Sequence, residues 1–91
     1  WPGMSVLPIT DDVRAQAELE QGTRGVLVIS VESRTPAAAA GFRRGDVIQS
    51  MNGSRVRSVL DFYRELNDED RDEISFTYVR DGEESTVSIV R

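Results

Sequence analysis

Apolar residues along this chain occur in short runs that predict strands. Residues 25–31 are almost all β-branched or aliphatic and too few for an ordinary helix, so they predict a strand buried on both faces. Residues 46–51 form a second strand, which Asn52-Gly53 ends with a strong hairpin signal. Residues 74–80 alternate apolar with polar side chains, which predicts one buried face. Shorter strands are expected at residues 4–7 before Pro8, at 54–56, and at 85–90 after the Asp81-Gly82 turn.

Capping residues predict two short helices in the first half of the chain. Thr10 precedes two aspartates, and both a threonine cap and an acidic first turn stabilise a helix N-terminus. Thr35-Pro36 begins the second helix, because proline lacks an N–H that the first turn would leave unpaired anyway. That helix is expected to end after Ala40, with Gly41 in the left-handed conformation common at helix C-termini.

A third helix is predicted at Val59–Leu66, with Ser58 as its cap, because its apolar residues recur at helical spacing. Strand follows strand without regular helical crossovers, so the fold class is α+β. We expect a partly open barrel or sandwich of five to six strands capped by two or three short helices, with Phe42 in its core. A chain of 91 residues makes a single domain, residues 1–91.

The side chains that are absent exclude most enzyme chemistry. The chain has no Cys, His or Lys, so it holds no disulfide, no usual zinc site, no thiol nucleophile and no Ser-His-Asp triad. A formal net charge of −5 repels nucleic-acid phosphates and anionic lipid headgroups. No apolar run approaches the roughly 18 residues of a membrane-spanning helix. We therefore expect a binding module, not an enzyme, without cofactor, metal, nucleic acid or membrane insertion.

Two charged segments are open to both a structural and a binding interpretation. Asp61, Glu65 and residues 68–73 could hold a cation or a basic partner, and a solvated acidic face is the expected role. Arg43-Arg44 either contacts a neighbouring domain or forms an exposed loop pair.

Residues 25–53 contain several small-residue and turn motifs in a fixed order. A proline-started turn of small alanines is suited to pack closely on a sheet, Gly41 reverses the chain, and Asn52-Gly53 turns the following strand. The motifs are Gly25-Val26-Leu27-Val28, Thr35-Pro36-Ala37-Ala38, Ala40-Gly41-Phe42-Arg43-Arg44-Gly45-Asp46-Val47-Ile48 and Asn52-Gly53. Taken together, they resemble the signature of a PDZ domain.

The order of elements is similar to that of bacterial envelope PDZ domains, above all those of HtrA/Do-like (DegP-type) serine proteases. Residues 85–90 would then supply the strand that animal PDZ domains place before their ligand loop. The resemblance implies a domain excised from a larger protease, and Trp1-Pro2-Gly3-Met4 is indeed neither a signal peptide nor a natural start. PDZ domains of carboxy-terminal processing proteases and intramembrane proteases are the related alternatives.

The resemblance also implies a groove that binds the free carboxyl end of a protein. The loop at residues 1–4 is similar to the family's Gly-apolar-Gly-apolar pattern, whose N–H groups hold the carboxylate, and Pro2 supplies one donor fewer. An extended peptide would add as a strand to the edge at residues 4–7, opposite the Val59–Leu66 helix. The predicted peptide-binding residues are Trp1, Pro2, Gly3, Met4, Ser5, Val6, Val59, Tyr63 and Leu66.

Val59 indicates which peptides this groove prefers. Family members that select Ser or Thr two residues before the end hold a His at this helix position, whereas an aliphatic side chain favours an apolar partner. We expect a hydrophobic last residue, a hydrophobic residue two before it, and dissociation constants on the order of 1 μM.

A family role in protein quality control follows from the same resemblance. The domain would capture hydrophobic C-termini of misfolded proteins in the bacterial periplasm or cell envelope, and would regulate or feed the protease domain of the same chain. The isolated domain is expected to be monomeric and its parent oligomeric; the lack of cysteine fits an oxidising compartment. The second hypothesis is an assembly module whose groove stays empty or closed.

Overall fold

Residues 2–91, the part of the chain described by the computed structural model, form six strands and three helices. The prediction that Trp1 lines a binding site lies outside these residues. The elements are β1 Met4–Pro8, α1 Asp11–Gln16, β2 Val26–Val31, α2 Pro36–Ala39, β3 Val47–Met51, β4 Ser54–Arg55, α3 Val59–Leu66, β5 Glu73–Arg80 and β6 Glu83–Val90.

All strands pair antiparallel in one open sheet with the order β1-β2-β3-β5-β6, and the short β4 pairs with β3. This confirms the expected α+β fold with a partly open sheet. β6 begins two residues earlier than predicted, at Glu83. The reason is the turn: Asp81 and Gly82 both have positive φ, +52° and +80°, which joins the strands with only two residues.

The three predicted helix caps all form. Thr10, Thr35 and Ser58 each accept a backbone N–H from the first helical turn at 3.1–3.3 Å through the side-chain oxygen. The helices differ in burial, because α1 buries no residue while α3 buries Phe62 and Leu66. α3 therefore packs on the sheet and α1 lies at the surface.

The core lies between α3, α2 and one face of the sheet. Phe42 is 5% exposed and packs edge-on against Phe76, with ring centroids 5.2 Å apart, as predicted. The prediction that residues 25–31 are buried throughout is wrong for their second half, where Ser30 is exposed. The physical reason is that β3 pairs with β2 only at Val26 and Leu27, so the end of β2 extends beyond the covered part of the sheet.

An ion pair with a buried carboxylate joins Asp46, directly before β3, to Arg80 at the end of β5. The Arg80 guanidinium donates to both carboxylate oxygens of Asp46, at 2.8 and 2.7 Å, and Asp46 is 1% exposed. The same carboxylate accepts the Arg43 N–H, and Arg80 also donates to the Gly41 carbonyl. These bonds hold the loop after α2 against the sheet and raise the pKa of Arg80, chiefly through the hydrogen bond to Asp46.

Candidate functional site

Among the described residues, β1 has a partner strand on one side only. Gly3 accepts the Glu32 N–H at 2.8 Å through its carbonyl, and the next residue, Met4, lies opposite Val31. Antiparallel strands alternate between hydrogen-bonded and non-hydrogen-bonded pairs, so Met4 and Val31 form a pair of the second kind. The N–H and C=O of Met4 therefore face the free edge.

Val6 presents its backbone to the same edge. The register shifts between Ser5 and Val6, and Val6 then lies opposite Val28. Val28 donates to the Asp46 carbonyl and accepts the Gly45 N–H, both at 2.8 Å, so its backbone groups bond away from β1. The N–H and C=O of Val6 consequently point to the free edge, where a further strand could pair with them.

Pro8 is the last residue of β1 and does not stop the strand at residue 7, contrary to the prediction. It lies opposite Val26, two residues after Val6. The missing N–H of Pro8 would have pointed to the free edge, so its absence removes no hydrogen bond of the sheet. Along this edge, Met4 and Val6 offer N–H and C=O groups and Pro8 offers a C=O alone.

The loop before β1 is held by the start of α2. Pro2 is buried and accepts the Ala37 N–H at 3.0 Å through its carbonyl. Gly3 has a φ of +99°, and a Cβ at this position would lie 2.4 Å from the Thr35 side chain. With these two carbonyls directed inward, the N–H groups of Gly3 and Met4 are the donors that residues 2–4 retain, since Pro2 has none.

α3 faces β1 with its apolar side. Val59, Met4 and Val6 are partly buried and pack against the same core cluster. Tyr63 is 44% exposed and stacks edge-on against Phe62. Leu66 is 1% exposed, so it belongs to the floor beneath this surface rather than to the surface itself.

The predicted site residues thus occupy different positions. Met4 and Val6 on β1 and Val59 on α3 pack against the same core cluster, and Gly3 directly precedes Met4. The Ser5 side chain is exposed, and by the same alternation its backbone bonds to β2. The peptide-binding role of these residues stays a prediction.

Sequence reasoning missed the residues that support the loop. Thr35 and Ala37 were predicted only as parts of a helix start, and their contact with Gly3 and Pro2 was not foreseen. The proline-alanine turn was the one sequence feature that could have indicated this contact, because small residues there allow another segment to pack closely. Nothing in the sequence indicates the role of Glu32, because only its backbone N–H contacts the loop, through the Gly3 carbonyl.

The acidic residues of α3 have partners within the fold. Asp61 accepts the Arg57 N–H at 3.0 Å and pairs with Arg64 at 3.4 Å, and Glu65 accepts from the Asn52 side chain at 3.2 Å. In residues 2–91 no group of three or more acidic side chains is arranged to hold a metal ion. Arg43-Arg44 is exposed, and its proposed contact with another domain remains a prediction.

No helix within the described part of the chain has the length and apolar character needed to cross a membrane.

Comparison with known sequences agrees with the resemblance carried by residues 25–53. The model of the PDZ domain family matches residues 5–90. A probable periplasmic serine endoprotease, DegP-like, of Brucella suis is 36% identical over 66 residues, covering 72% of this chain and 13% of that protein. The serine protease Do-like HtrA of Lactococcus lactis subsp. lactis is 40% identical over 68 residues, covering 74% of this chain and 17% of that protein. The chain thus spans a small part of the length of these relatives.

Solved structures share the fold. The HtrA3 PDZ domain bound to a phage-derived ligand (FGRWV) superimposes with a TM-score of 0.86 at 19% identity, covering 99% of this chain and 82% of that one. The HtrA-type protease AlgW with a decapeptide superimposes with a TM-score of 0.83 at 24% identity, covering 99% of this chain and 28% of that one.

Proposed function

This chain belongs to the PDZ domain family, and we propose that it binds the free carboxyl end of an extended peptide between β1 and α3. The observation that supports this most directly is the outer edge of β1. Met4 and Val6 present unpaired backbone groups there, beside the apolar side chain of Val59. An extended peptide satisfies such groups by adding one strand to the sheet.

The direction of the guest peptide follows from the position of the loop. Its carboxylate would bind the N–H groups of Gly3 and Met4, where charge-assisted hydrogen bonds are strong. Its chain would then run antiparallel to β1, so the third residue from its end lies beside Val6. Because Pro8 has no N–H, only its C=O can form a hydrogen bond with the guest strand at the next outward position of β1.

A regulatory role in an HtrA-type serine protease is the second part of the proposal. The sequence relatives are named as proteases of this kind, and several are named as periplasmic. In that setting the domain would capture hydrophobic C-termini of unfolded envelope proteins and deliver them to a protease domain. An apolar Val59 favours such ends over polar ones.

A titration with paired peptides tests the carboxylate mechanism. Two fluorescent peptides of one sequence, ending in apolar residues, differ only in a free or an amidated C-terminus. We expect saturable binding of the free form and at least a tenfold weaker affinity, about 1.4 kcal/mol, for the amide. Equal affinities would overturn the proposal.

Replacing single backbone N–H groups distinguishes hydrogen bonds to the guest peptide from hydrogen bonds within the sheet. An ester bond at Val6, introduced with the α-hydroxy analogue of valine, removes the outward N–H and is expected to weaken peptide binding about fivefold with little loss of stability. The matched ester at Leu7 removes an inward N–H. It should lower the free energy of unfolding by about 1 kcal/mol and leave binding nearly unchanged.

The assembly hypothesis makes a different prediction. If the groove is closed in solution, the paired peptides bind equally poorly, and removing this domain from its parent abolishes the parent's oligomer in sedimentation experiments. Within residues 2–91 no segment of the chain pairs with the free edge of β1, which favours peptide binding.

A further inference from the structure

Four arginines surround a cavity of about 320 Å³ beside the far end of β1. Its other lining residues are Ile9, Thr23 and Gly25, and no carboxylate lines it. The arginines come from three separate parts of the chain: Arg14 from α1, Arg24 from the loop before β2, and Arg55 and Arg57 from β4 and the segment after it. This concentration of positive charge occurs in a chain of net charge −5.

Three of these arginines form no ion pair within the described residues, although Arg55 and Arg57 also line a second cavity together with Asp61 and Glu65. In residues 2–91, the side chains of Arg24, Arg55 and Arg57 make no hydrogen bond or ion pair. Arg14 pairs with Asp11 at 2.7 Å and donates to the Thr23 carbonyl at 3.2 Å, yet its buried Nε has no partner. Four guanidinium groups line the cavity without a carboxylate among them, so it favours an anionic ligand.

The cavity lies beyond the end of β1 at which the proposed guest peptide would leave the sheet. Ile9 directly follows β1, and Arg57 directly precedes Ser58, the cap of α3. The groove runs between these two elements, so it opens into the cavity at their shared end. A peptide antiparallel to β1 leaves Pro8 in this direction.

We propose that this cavity binds acidic side chains upstream of the peptide's C-terminal residues. The inference rests on the proposed function and adds a second determinant of specificity to it. With the third residue from the end beside Val6 and the fifth beside Pro8, the sixth to eighth residues from the end reach the arginines, at about 3.3 Å per residue. Asp or Glu there forms charge-assisted, bidentate pairs with guanidinium groups.

A charge-swap titration tests this assignment. Two peptides share one apolar free C-terminus and carry either Glu or Gln at the sixth to eighth residues from the end. The wild-type domain is expected to bind the Glu peptide about fivefold more tightly at low salt, and the preference should shrink near 0.5 M salt, at about a 4 Å screening length. Fluorescence anisotropy measures the affinity of each of the two peptides at low and at high salt.

Matched variants locate the effect. The double variant Arg55→Gln/Arg57→Gln should lose the preference for Glu while it keeps its affinity for the Gln peptide. The double variant Arg43→Gln/Arg44→Gln removes two exposed positive charges outside the cavity and should retain the preference.

Each remaining outcome counts against the inference in a recognisable way. Equal binding of both peptides by the wild type overturns the acidic-segment site and leaves the groove intact. A preference that Arg43→Gln/Arg44→Gln abolishes as fully as Arg55→Gln/Arg57→Gln is due to net charge and overturns the site. A preference that Arg55→Gln/Arg57→Gln retains does not come from these arginines and overturns the site as well. Failure of both peptides to bind overturns the groove and, with it, this extension.

Discussion

At the scale of single residues, Gly3 decides the geometry of the loop before β1. Its φ of +99° is rare for residues with a side chain, and an added Cβ would lie 2.4 Å from Thr35. Gly22 has a similar φ of +88° with open space around it. Comparing alanine substitutions at these two positions therefore distinguishes the cost of backbone strain from the cost of a steric clash.

We expect Gly3→Ala to destabilise the domain by at least about 1 kcal/mol more than Gly22→Ala, because only the first variant adds a clash to the backbone strain. Gly3→Ala should also weaken binding of a free carboxyl end, and Gly22→Ala should not. Urea denaturation and peptide titration measure the two effects. Equal loss of stability in both variants would contradict the close packing of the loop on Thr35.

The Asp46–Arg80 pair is the second residue-scale determinant. Arg80→Gln leaves the carboxylate of Asp46 buried without its cation and should lower the free energy of unfolding by about 3 kcal/mol. The exposed pair Arg64–Asp61 serves as the control, and Arg64→Gln should cost less than about 0.5 kcal/mol. Similar losses in the two variants would show that burial does not strengthen the first pair.

Titration of Arg80 should not affect stability near neutral pH. Its pKa is raised in the folded state, so the stabilisation is fully present below the unfolded pKa and is lost only as the pH rises through the folded value. That window lies in strong alkali. A stability difference between wild type and Arg80→Gln that stays constant from about pH 6 to pH 9 is the expected result.

At the scale of elements, the proposed groove predicts that the start of α3 sets peptide preference. We expect Val59→His to shift the preference at the third residue from the peptide's C-terminus from apolar towards Ser or Thr. The affinity ratio should change about fivefold, because neutral imidazole accepts a hydroxyl hydrogen bond. The shift should weaken below about pH 6.5, as the ring is protonated and no longer accepts. Leu60→His, at a neighbouring position that is 67% exposed, should leave the ratio unchanged.

At the scale of the whole molecule, the two outer strands differ in what they present. β1 offers an edge beside the apolar side of α3, whereas β6 begins with Glu83 and Glu84, both exposed. Charges on an edge strand oppose pairing between copies, and the net charge of −5 adds repulsion. Sedimentation equilibrium should therefore show a monomer of 10.1 kDa, and a concentration-dependent dimer would contradict this.

Local patterns in the sequence were sufficient for the elements and the family. Helix caps, the Asn52-Gly53 turn and alternation of apolar residues act within a few positions, so Thr10, Thr35 and Ser58 could be identified without coordinates. The PDZ resemblance rests on such local turns in a fixed order, and the family match confirms it. Strand ends were less certain, because pairing with a neighbour decides where β2 stops being buried.

Contacts between distant residues were decided by the tertiary structure alone. Asp46 and Arg80 are 34 residues apart, and nothing in either local sequence indicates that they pair. The same holds for the arginine-lined cavity, whose members converge from separate segments, and for the outward direction of the Val6 backbone, which depends on the bonds of Val28. Local patterns specify which elements form, whereas pairing register and packing specify which groups remain free to bind.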